Sequence, residues 1–154
     1  MKAVGGALAA AMFAAAAAWA ASSAEGVRLT PANIASLPST GAGAGTSGVE
    51  GIRTTVLTGD PSTAGPYTIA LRVPANTRIA AHRHRDERSA VVVAGTWYFG
   101  FGATASDSAT APLPPGSFYT EPAGLLHFAR TGAEPATVYI SGLGPTDTVY
   151  AARP

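Results

Sequence analysis

The sequence of 154 residues contains no cysteine, and Lys2 is its only lysine. Without cysteine the chain can form no disulfide framework and carries no site for a lipoprotein anchor. Charged residues make up only 12% of the chain, and its nine arginines balance nine acidic residues once Lys2 is set aside. A chain this close to neutral is a poor match for nucleic acid or an anionic membrane.

The first residues have the pattern of a secretory signal peptide. Lys2 is followed by an alanine-rich apolar run over residues 5–21, and small residues would allow cleavage after Ala20 or Ala24. A permanent membrane anchor is the alternative, but the run is short and mostly alanine. We therefore predict a signal peptide over residues 1–24 and a mature protein that is periplasmic or secreted, with no membrane contact after cleavage.

The rest of the chain is rich in valine, threonine, glycine and proline, which predicts one all-β domain with many turns. Residues 39–48 consist only of glycine, alanine, serine and threonine, so we expect an N-terminal arm over residues 25–50 and a folded domain over 51–154. Thr30 and Pro31 are typical of the start of a short helix over residues 30–37. Apolar or alternating runs predict strands at 53–58, 67–73, 78–84, 90–94, 96–101, 117–121, 126–130 and 137–142.

Two further features concern the middle of the domain. Trp97, Phe99 and Phe101 alternate along one predicted strand, which favours a shared place in the core. Between this strand and the next, we expect a polar loop over residues 102–111 and a rigid turn over 112–116.

The sequence has three histidines, and two of them, His82 and His84, are one residue apart. On a β-strand this spacing places both imidazoles on the same face, where they can share one metal ion. His127 would complete a three-nitrogen site if the fold brings it alongside. A solvated basic patch formed with the neighbouring arginines is the alternative, and the spacing of His82 and His84 alone does not decide between them.

A second motif surrounds His127. Gly116, Pro122, Gly124 and His127 have the spacing glycine, five residues, proline, one residue, glycine, two residues, histidine. This pattern resembles the second sequence motif of the cupin superfamily. The glycines and the proline would form the tight turn that delivers His127 to the start of a strand.

The first cupin motif is matched in part. His82, His84 and Gly95 stand at its positions, and Asn76 replaces its first glycine, which asparagine can do because it also enters left-handed turns. Together the motifs span residues 76–127, and the chain resembles a group of small bacterial cupins. The resemblance implies a double-stranded β-helix, the jelly-roll barrel of two antiparallel sheets, with a metal near one open end. It also implies a homodimer.

One position departs from the motif. The glutamate that usually binds the metal in cupins would fall at Arg88 or Ser89. Glu87 is adjacent but out of phase, Asp86 shares the phase of Arg88 but is closer to His84, and Glu121 precedes the proline of the second motif. Glu87 and Glu121 are therefore the candidates for a fourth ligand. We expect Glu121 to approach the metal or Arg88 more closely than Glu87 does.

The arginines of the same segment have two interpretations. Arg83, Arg85 and Arg88 can form a solvated rim paired with Asp86 and Glu87, which we favour for Arg83 and Arg85. If Arg88 instead points inward, it would contact an anionic ligand or pair with Glu121.

Three imidazoles with open positions suit Fe, Mn, Ni, Cu or Zn as divalent ions. The expected function is that of an exported, metal-dependent enzyme of the dioxygenase type, acting on a small organic and possibly anionic molecule. No catalytic residue is assigned, and the candidates are Glu121 and Arg88. The alternatives are a non-catalytic module that binds or senses a metal or small ligand, and a metal-assisted isomerase or lyase.

Overall fold

A computed structural model describes residues 26–41 and 46–152. The expected signal peptide, residues 1–24, lies outside these ranges. The first element is the helix α1, Pro31–Ser36, and Thr30 caps it. The Thr30 hydroxyl accepts a hydrogen bond from the Asn33 amide, and the Asn33 side chain accepts one from the Thr30 amide. These reciprocal hydrogen bonds satisfy two backbone amides at the N-terminus of the helix.

Ten strands and one 3₁₀ turn make up the rest of the fold, as the valine-rich and threonine-rich composition predicts. The strands are β1 (Arg53–Thr58), β2 (Gly65–Val73), β3 (Arg78–Arg83), β4 (Arg88–Ala94), β5 (Trp97–Phe101), β6 (Ala111–Leu113), β7 (Phe118–Glu121), β8 (His127–Thr131), β9 (Ala136–Gly144) and β10 (Val149–Tyr150). The 3₁₀ turn is Asp107–Ala109.

The strands form two five-stranded antiparallel sheets. One has the order β1-β2-β9-β4-β7 and the other β10-β3-β8-β5-β6. Strands far apart in sequence are neighbours in both sheets, so the fold is held together mainly by long-range pairing. The predicted all-β architecture with two antiparallel sheets is confirmed.

The inner faces of the two sheets form the core. Ile69, Val138 and Ile140 of the first sheet pack in one cluster with Ile79 and Phe99 of the second. Each such side chain contributes about 1.5–3 kcal/mol when fully buried. Alternation along β2 and β9 places the isoleucines and valines of these strands inward, and it places threonine, serine and the tyrosine of β9 outward.

Three details differ from the sequence-based expectations. The rigid turn expected to begin at residue 112 starts later, because Pro112 lies in β6 opposite Tyr98. Proline is tolerated there because β6 is an edge strand. Phe101 does not join Trp97 and Phe99 in the core, because 51% of its surface is exposed. Strand β10 was not predicted, since two residues are too short for a periodic signal.

Two residues of the first motif, Asn76 and Gly95, lie in turns that require a left-handed backbone conformation. Asn76 has a φ of 56°, so it adopts the left-handed conformation expected where a glycine usually stands. Gly95 has a φ of 69°, and a Cβ there would lie 2.0 Å from the Pro135 carbonyl oxygen. Only glycine fits at this turn between β4 and β5.

Candidate metal centre

The three histidines converge at one end of the barrel. His82 on β3 and His127 on β8 are direct cross-strand partners, and His84 follows β3 immediately. One ligand nitrogen from each ring lies within 4.8 Å of the other two, and all three residues are buried. The structure therefore brings together the three residues that the sequence nominated, and they could hold a metal ion.

Backbone carbonyls fix the orientation of all three rings. His82 Nδ1 is 2.8 Å from the Ala80 oxygen, His127 Nδ1 is 3.0 Å from the Leu125 oxygen, and His84 Nδ1 bonds to the Asp147 oxygen. A carbonyl oxygen can only accept, so in each neutral ring Nδ1 carries the proton. Each Nε2 then carries a lone pair, which is the form that a metal requires.

Burial keeps the rings neutral. It lowers the pKa of His82 to about 4 and that of His84 to about 3, and it lowers the pKa of His127 as well. A metal ligand must be deprotonated, and no ring has to lose a proton before it binds at neutral pH. His127 Nε2 is buried and has no hydrogen-bond partner among the described residues. A metal ion would satisfy this acceptor, and the donor set fits one.

Arg88 and Glu121 form a buried ion pair beside the histidines. They stand opposite each other on β4 and β7, and each is 4% exposed. Arg88 Nε donates to Glu121 Oε2 over 2.6 Å, and Arg88 Nη2 contacts the same oxygen. Burial favours the protonated form of Glu121, but the Arg88 charge and the two adjacent histidines outweigh it, so the pKa of Glu121 is lowered.

The pair reaches the histidine nitrogens themselves. Glu121 Oε2 is 3.7 Å from His127 Nε2 and 3.8 Å from His84 Nε2. Two atoms that each bind one ion at about 2.1 Å can lie up to about 4.2 Å apart, so Glu121 is placed for a fourth ligand. Glu87 is exposed and does not reach the site. Arg88 Nη2 lies 2.6 Å from His84 Nε2.

The other charged residues of the segment have separate positions. Arg83 and Arg85 are exposed, as expected for a solvated rim. Asp86 is buried instead of pairing at the surface, and it accepts hydrogen bonds from the Tyr67 hydroxyl over 2.8 Å and the Thr146 hydroxyl over 2.6 Å. The interpretation of Asp86 as a partner of the rim arginines was wrong, because the hydroxyls of Tyr67 and Thr146 hold its carboxylate in the interior.

Sequence reasoning missed the part played by the C-terminal segment. The Asp147 carbonyl holds His84, and the Asp147 carboxylate accepts a hydrogen bond from the Arg85 amide over 2.7 Å. Thr146, the neighbour of Asp147, is anchored by Asp86. No sequence signal identifies such a carbonyl, because every residue has one.

The segment before β1 and the segment around β10 meet beside the histidines. Thr148 Oγ1 donates to the Thr46 carbonyl over 2.7 Å, and the Tyr150 hydroxyl donates to the Ser47 carbonyl. The Tyr150 ring lies 5.6 Å from the His82 ring, centroid to centroid. Residues 46–47 and 148–150 therefore lie beside the histidine site, and Ser47 lines its cavity.

The cavity that the histidines face is small. Its other walls include Leu71, Ile79, Phe99 and Ile140, and Ser47 lies at its edge. Its volume of about 20 Å³ is little more than the roughly 10–15 Å³ that one water molecule needs. Ligand pockets for organic molecules usually measure about 300–1,000 Å³. In this conformation the centre has room for an ion or a very small molecule.

No model of a known protein family and no curated protein sequence matches the chain. Solved structures do match. The polyketide cyclase RemF from Streptomyces resistomycificus is 14% identical with a TM-score of 0.65, over 82% of this chain and 88% of that one. A sugar phosphate isomerase of the cupin superfamily from Silicibacter pomeroyi is 18% identical with a TM-score of 0.53, over 68% of each chain.

The DMSP lyase DddQ from Ruegeria pomeroyi is 21% identical with a TM-score of 0.55, over 64% of this chain and 51% of that one. The chain spans about half the length of the two lyase structures that it matches, 51% and 53%. Cupin-2 domain proteins from Rhodopseudomonas palustris and Rhodospirillum rubrum are also among the neighbours. At these identities the likeness concerns the fold alone, and the chain has a cupin fold.

Proposed function

We propose that the protein is an exported metal-binding protein in which His82, His84 and His127 hold a divalent transition metal. The single observation that supports this most strongly is the orientation of the rings. All three Nδ1 atoms are hydrogen-bonded to carbonyls, and the buried Nε2 of His127 has no hydrogen-bond partner among the described residues. Neutral imidazoles in this form suit Fe, Mn, Ni, Cu or Zn.

We further propose that the centre acts on a small anionic molecule. The histidines are neutral and the charges of Arg88 and Glu121 cancel, so a bound divalent ion would leave the site with a net positive charge. A buried positive site favours an anion such as a carboxylate. Glu121 would complete the ligand set or stay on Arg88, and the apolar wall would exclude water from the centre.

Among enzymatic reactions, we favour oxygen-dependent chemistry of the dioxygenase type. General acid–base catalysis works best with a side chain whose pKa is near neutral. Around this cavity the pKa values are shifted away from neutral. Those of Glu121 and the histidines are lowered, and burial raises that of Tyr119 well above its usual range. A bound metal supplies Lewis acidity or, when redox-active, oxygen chemistry.

A metal-assisted isomerase or lyase is the second enzymatic candidate, and the isomerase and lyases among the structural neighbours are the reason to keep it. The volume of about 20 Å³ favours a further alternative, a non-catalytic module that binds or senses a metal. An organic substrate would enter only after the residues that line the cavity move apart.

Metal analysis of protein purified after native export tests the proposal. About one equivalent of metal is expected per chain, and His82→Ala, His84→Ala and His127→Ala should each strongly reduce it. The circular dichroism of the metal-free variants should show that the barrel remains folded. Metal content unchanged in all three variants would refute the site.

Oxygen-uptake screening with small carboxylates then separates the alternatives. A redox-active metal with substrate-dependent uptake supports the dioxygenase type. Turnover of a substrate without oxygen uptake supports the isomerase or lyase. A bound metal with no turnover favours the binding module.

A further inference from the structure

Arg88 occupies the metal-binding atom of His84. Because His84 Nδ1 donates to the Asp147 carbonyl, its Nε2 has a lone pair and no proton. A guanidinium group can only donate, so the contact of 2.6 Å is a hydrogen bond from Arg88 Nη2 to that lone pair. The lone pair that a metal needs is already in use.

An ion and this hydrogen bond exclude each other. A metal would bind His84 Nε2 at about 2.0–2.1 Å along the direction from which Arg88 now donates. The two positive groups would also repel each other in a buried site. Arg88 must therefore leave His84 when a metal binds.

Glu121 gives Arg88 a place to remain. The bond from Arg88 Nε to Glu121 Oε2 is separate from the bond that Nη2 makes with His84, so the second can break while the first persists. Both residues are 4% exposed, and their opposed positions on β4 and β7 keep them together. A buried guanidinium that lost Glu121 as well would be strongly destabilising.

We propose that Arg88 is an internal competitor of the metal: its guanidinium occupies His84 in the metal-free protein and is displaced when a divalent ion binds. This inference rests on the proposed metal site. It offers a reason for an arginine at one of the two positions, 88 and 89, where the resemblance to cupins would place a carboxylate ligand. Arg88 satisfies the buried ring nitrogen in the absence of metal, and it makes metal binding weaker and more easily reversed.

The expected effect follows from the bond that is lost. A hydrogen bond to a charged group corresponds to roughly a 10- to 100-fold change in an equilibrium constant. Removing the competitor should therefore tighten metal binding by about tenfold or more.

The test is calorimetric titration of metal-free protein with Zn²⁺ and, separately, Co²⁺. Arg88→Met is compared with wild type, and the double variant Arg88→Met/Glu121→Gln is compared with Glu121→Gln. In the second comparison both proteins carry the Glu121→Gln substitution, so any gain from a freed carboxylate cancels, and the double variant has no buried unpaired charge. Arg83→Met removes an exposed arginine of the same segment and serves as the matched control. Circular dichroism establishes that each variant is folded.

Both comparisons should show binding at least about tenfold tighter without Arg88, while Arg83→Met binds like wild type. In metal-free protein, the ¹⁵N resonance of His84 Nε2 should shift in Arg88→Met and stay in place in Arg83→Met. If wild type binds metal and its affinity equals that of the variants without Arg88, Arg88 is not a competitor, but the proposed metal site is still supported. Binding by Arg88→Met but not by wild type would support the competitor and overturn the proposed function. Absence of binding in both would overturn both.

Discussion

At the scale of single residues, strand register determines which acid meets Arg88. Arg88 lies opposite Glu121 on β7 and opposite Gly142 on β9. In the segment between β3 and β4, Asp86 is buried and Glu87 is exposed, and Arg88 at the start of β4 is buried again. Gly142 leaves room for the Asp86 carboxylate and the Tyr67 hydroxyl, because a Cβ at position 142 would lie 2.6 Å from both groups.

The buried pair predicts a large difference between two variants that remove one negative charge each. Glu121→Gln leaves Arg88 buried without its counter-charge, and breaking such a pair costs about 3–5 kcal/mol. Glu87→Gln alters an exposed side chain and should change the free energy of unfolding by no more than about 0.5 kcal/mol. Urea denaturation of the metal-free proteins measures both. If Glu87→Gln alone removed bound metal, the glutamate of the cupin motif would only be displaced by one residue and Glu121 would not be the fourth ligand.

At the scale of elements, some of the segments that form the histidine site can be predicted from the sequence and others cannot. Strands β3 and β8 were predictable, because alternation and the two motifs mark His82, His84 and His127. The cross-strand pairing of His82 with His127 was implied only by the resemblance to cupins. Segment 146–150 could not be found, since its contribution is a backbone carbonyl and a two-residue strand.

The inward position of Arg88 was open in the sequence for a physical reason. Arginine is common both in solvated rims and in buried pairs, and the choice depends on whether an acid stands opposite on a neighbouring strand. Strand register is a long-range property, and β4 and β7 are separated by β5 and β6 in the chain. The inward position of Asp86 was equally open, because it depends on the hydroxyls of Tyr67 and Thr146, which are distant in the sequence.

Asp86 connects the C-terminal segment to β2, and its substitution tests that link. In Asp86→Asn the amide nitrogen cannot accept a hydrogen bond, so the Tyr67 or the Thr146 hydroxyl loses its acceptor. We expect the free energy of unfolding to fall by about 1–3 kcal/mol. Thermal or urea denaturation measures the change, and Glu87→Gln, one position away with the same charge change, is the control. Equal stability of the two variants would contradict the structural role of Asp86.

At the scale of the whole molecule, the described residues contain no helix long and apolar enough to span a membrane. The two sheets of the protein bury His82, His84 and His127 as neutral rings. Burial of neutral histidine couples folding to pH, because the unfolded chain takes up protons at its ordinary pKa of 6.5 while the folded chain does not.

Acidification should therefore destabilise the metal-free protein. Below pH 6.5 the unfolded state binds more protons, so the free energy of unfolding falls as the pH decreases toward the folded-state values of about 4 and about 3. Each fully responding histidine contributes up to about 1.4 kcal/mol per pH unit. Urea denaturation at pH 7.5, 6.0 and 5.0 measures the slope. His82→Ala should reduce it, and a flat profile in wild type would contradict neutral burial of the rings.

Export predicts the start of the mature protein. If the alanine-rich leader is cleaved at either small-residue site, the mature protein would begin at Ala21 or Glu25. N-terminal sequencing of protein recovered outside the cytoplasm checks this. Soluble protein that retains Met1 or Lys2 would contradict the proposed export.

Beside the histidine site, hydrogen bonds join residues that are 102 and 103 positions apart, Thr46 with Thr148 and Ser47 with Tyr150. The segment before β1 and the segment around β10 therefore hold each other next to the histidines. A change that loosens either segment acts on the surroundings of the three imidazoles, although no histidine is altered. Removal of residues 148–152 would break both hydrogen bonds, and it is expected to speed the passage of ions into and out of the centre.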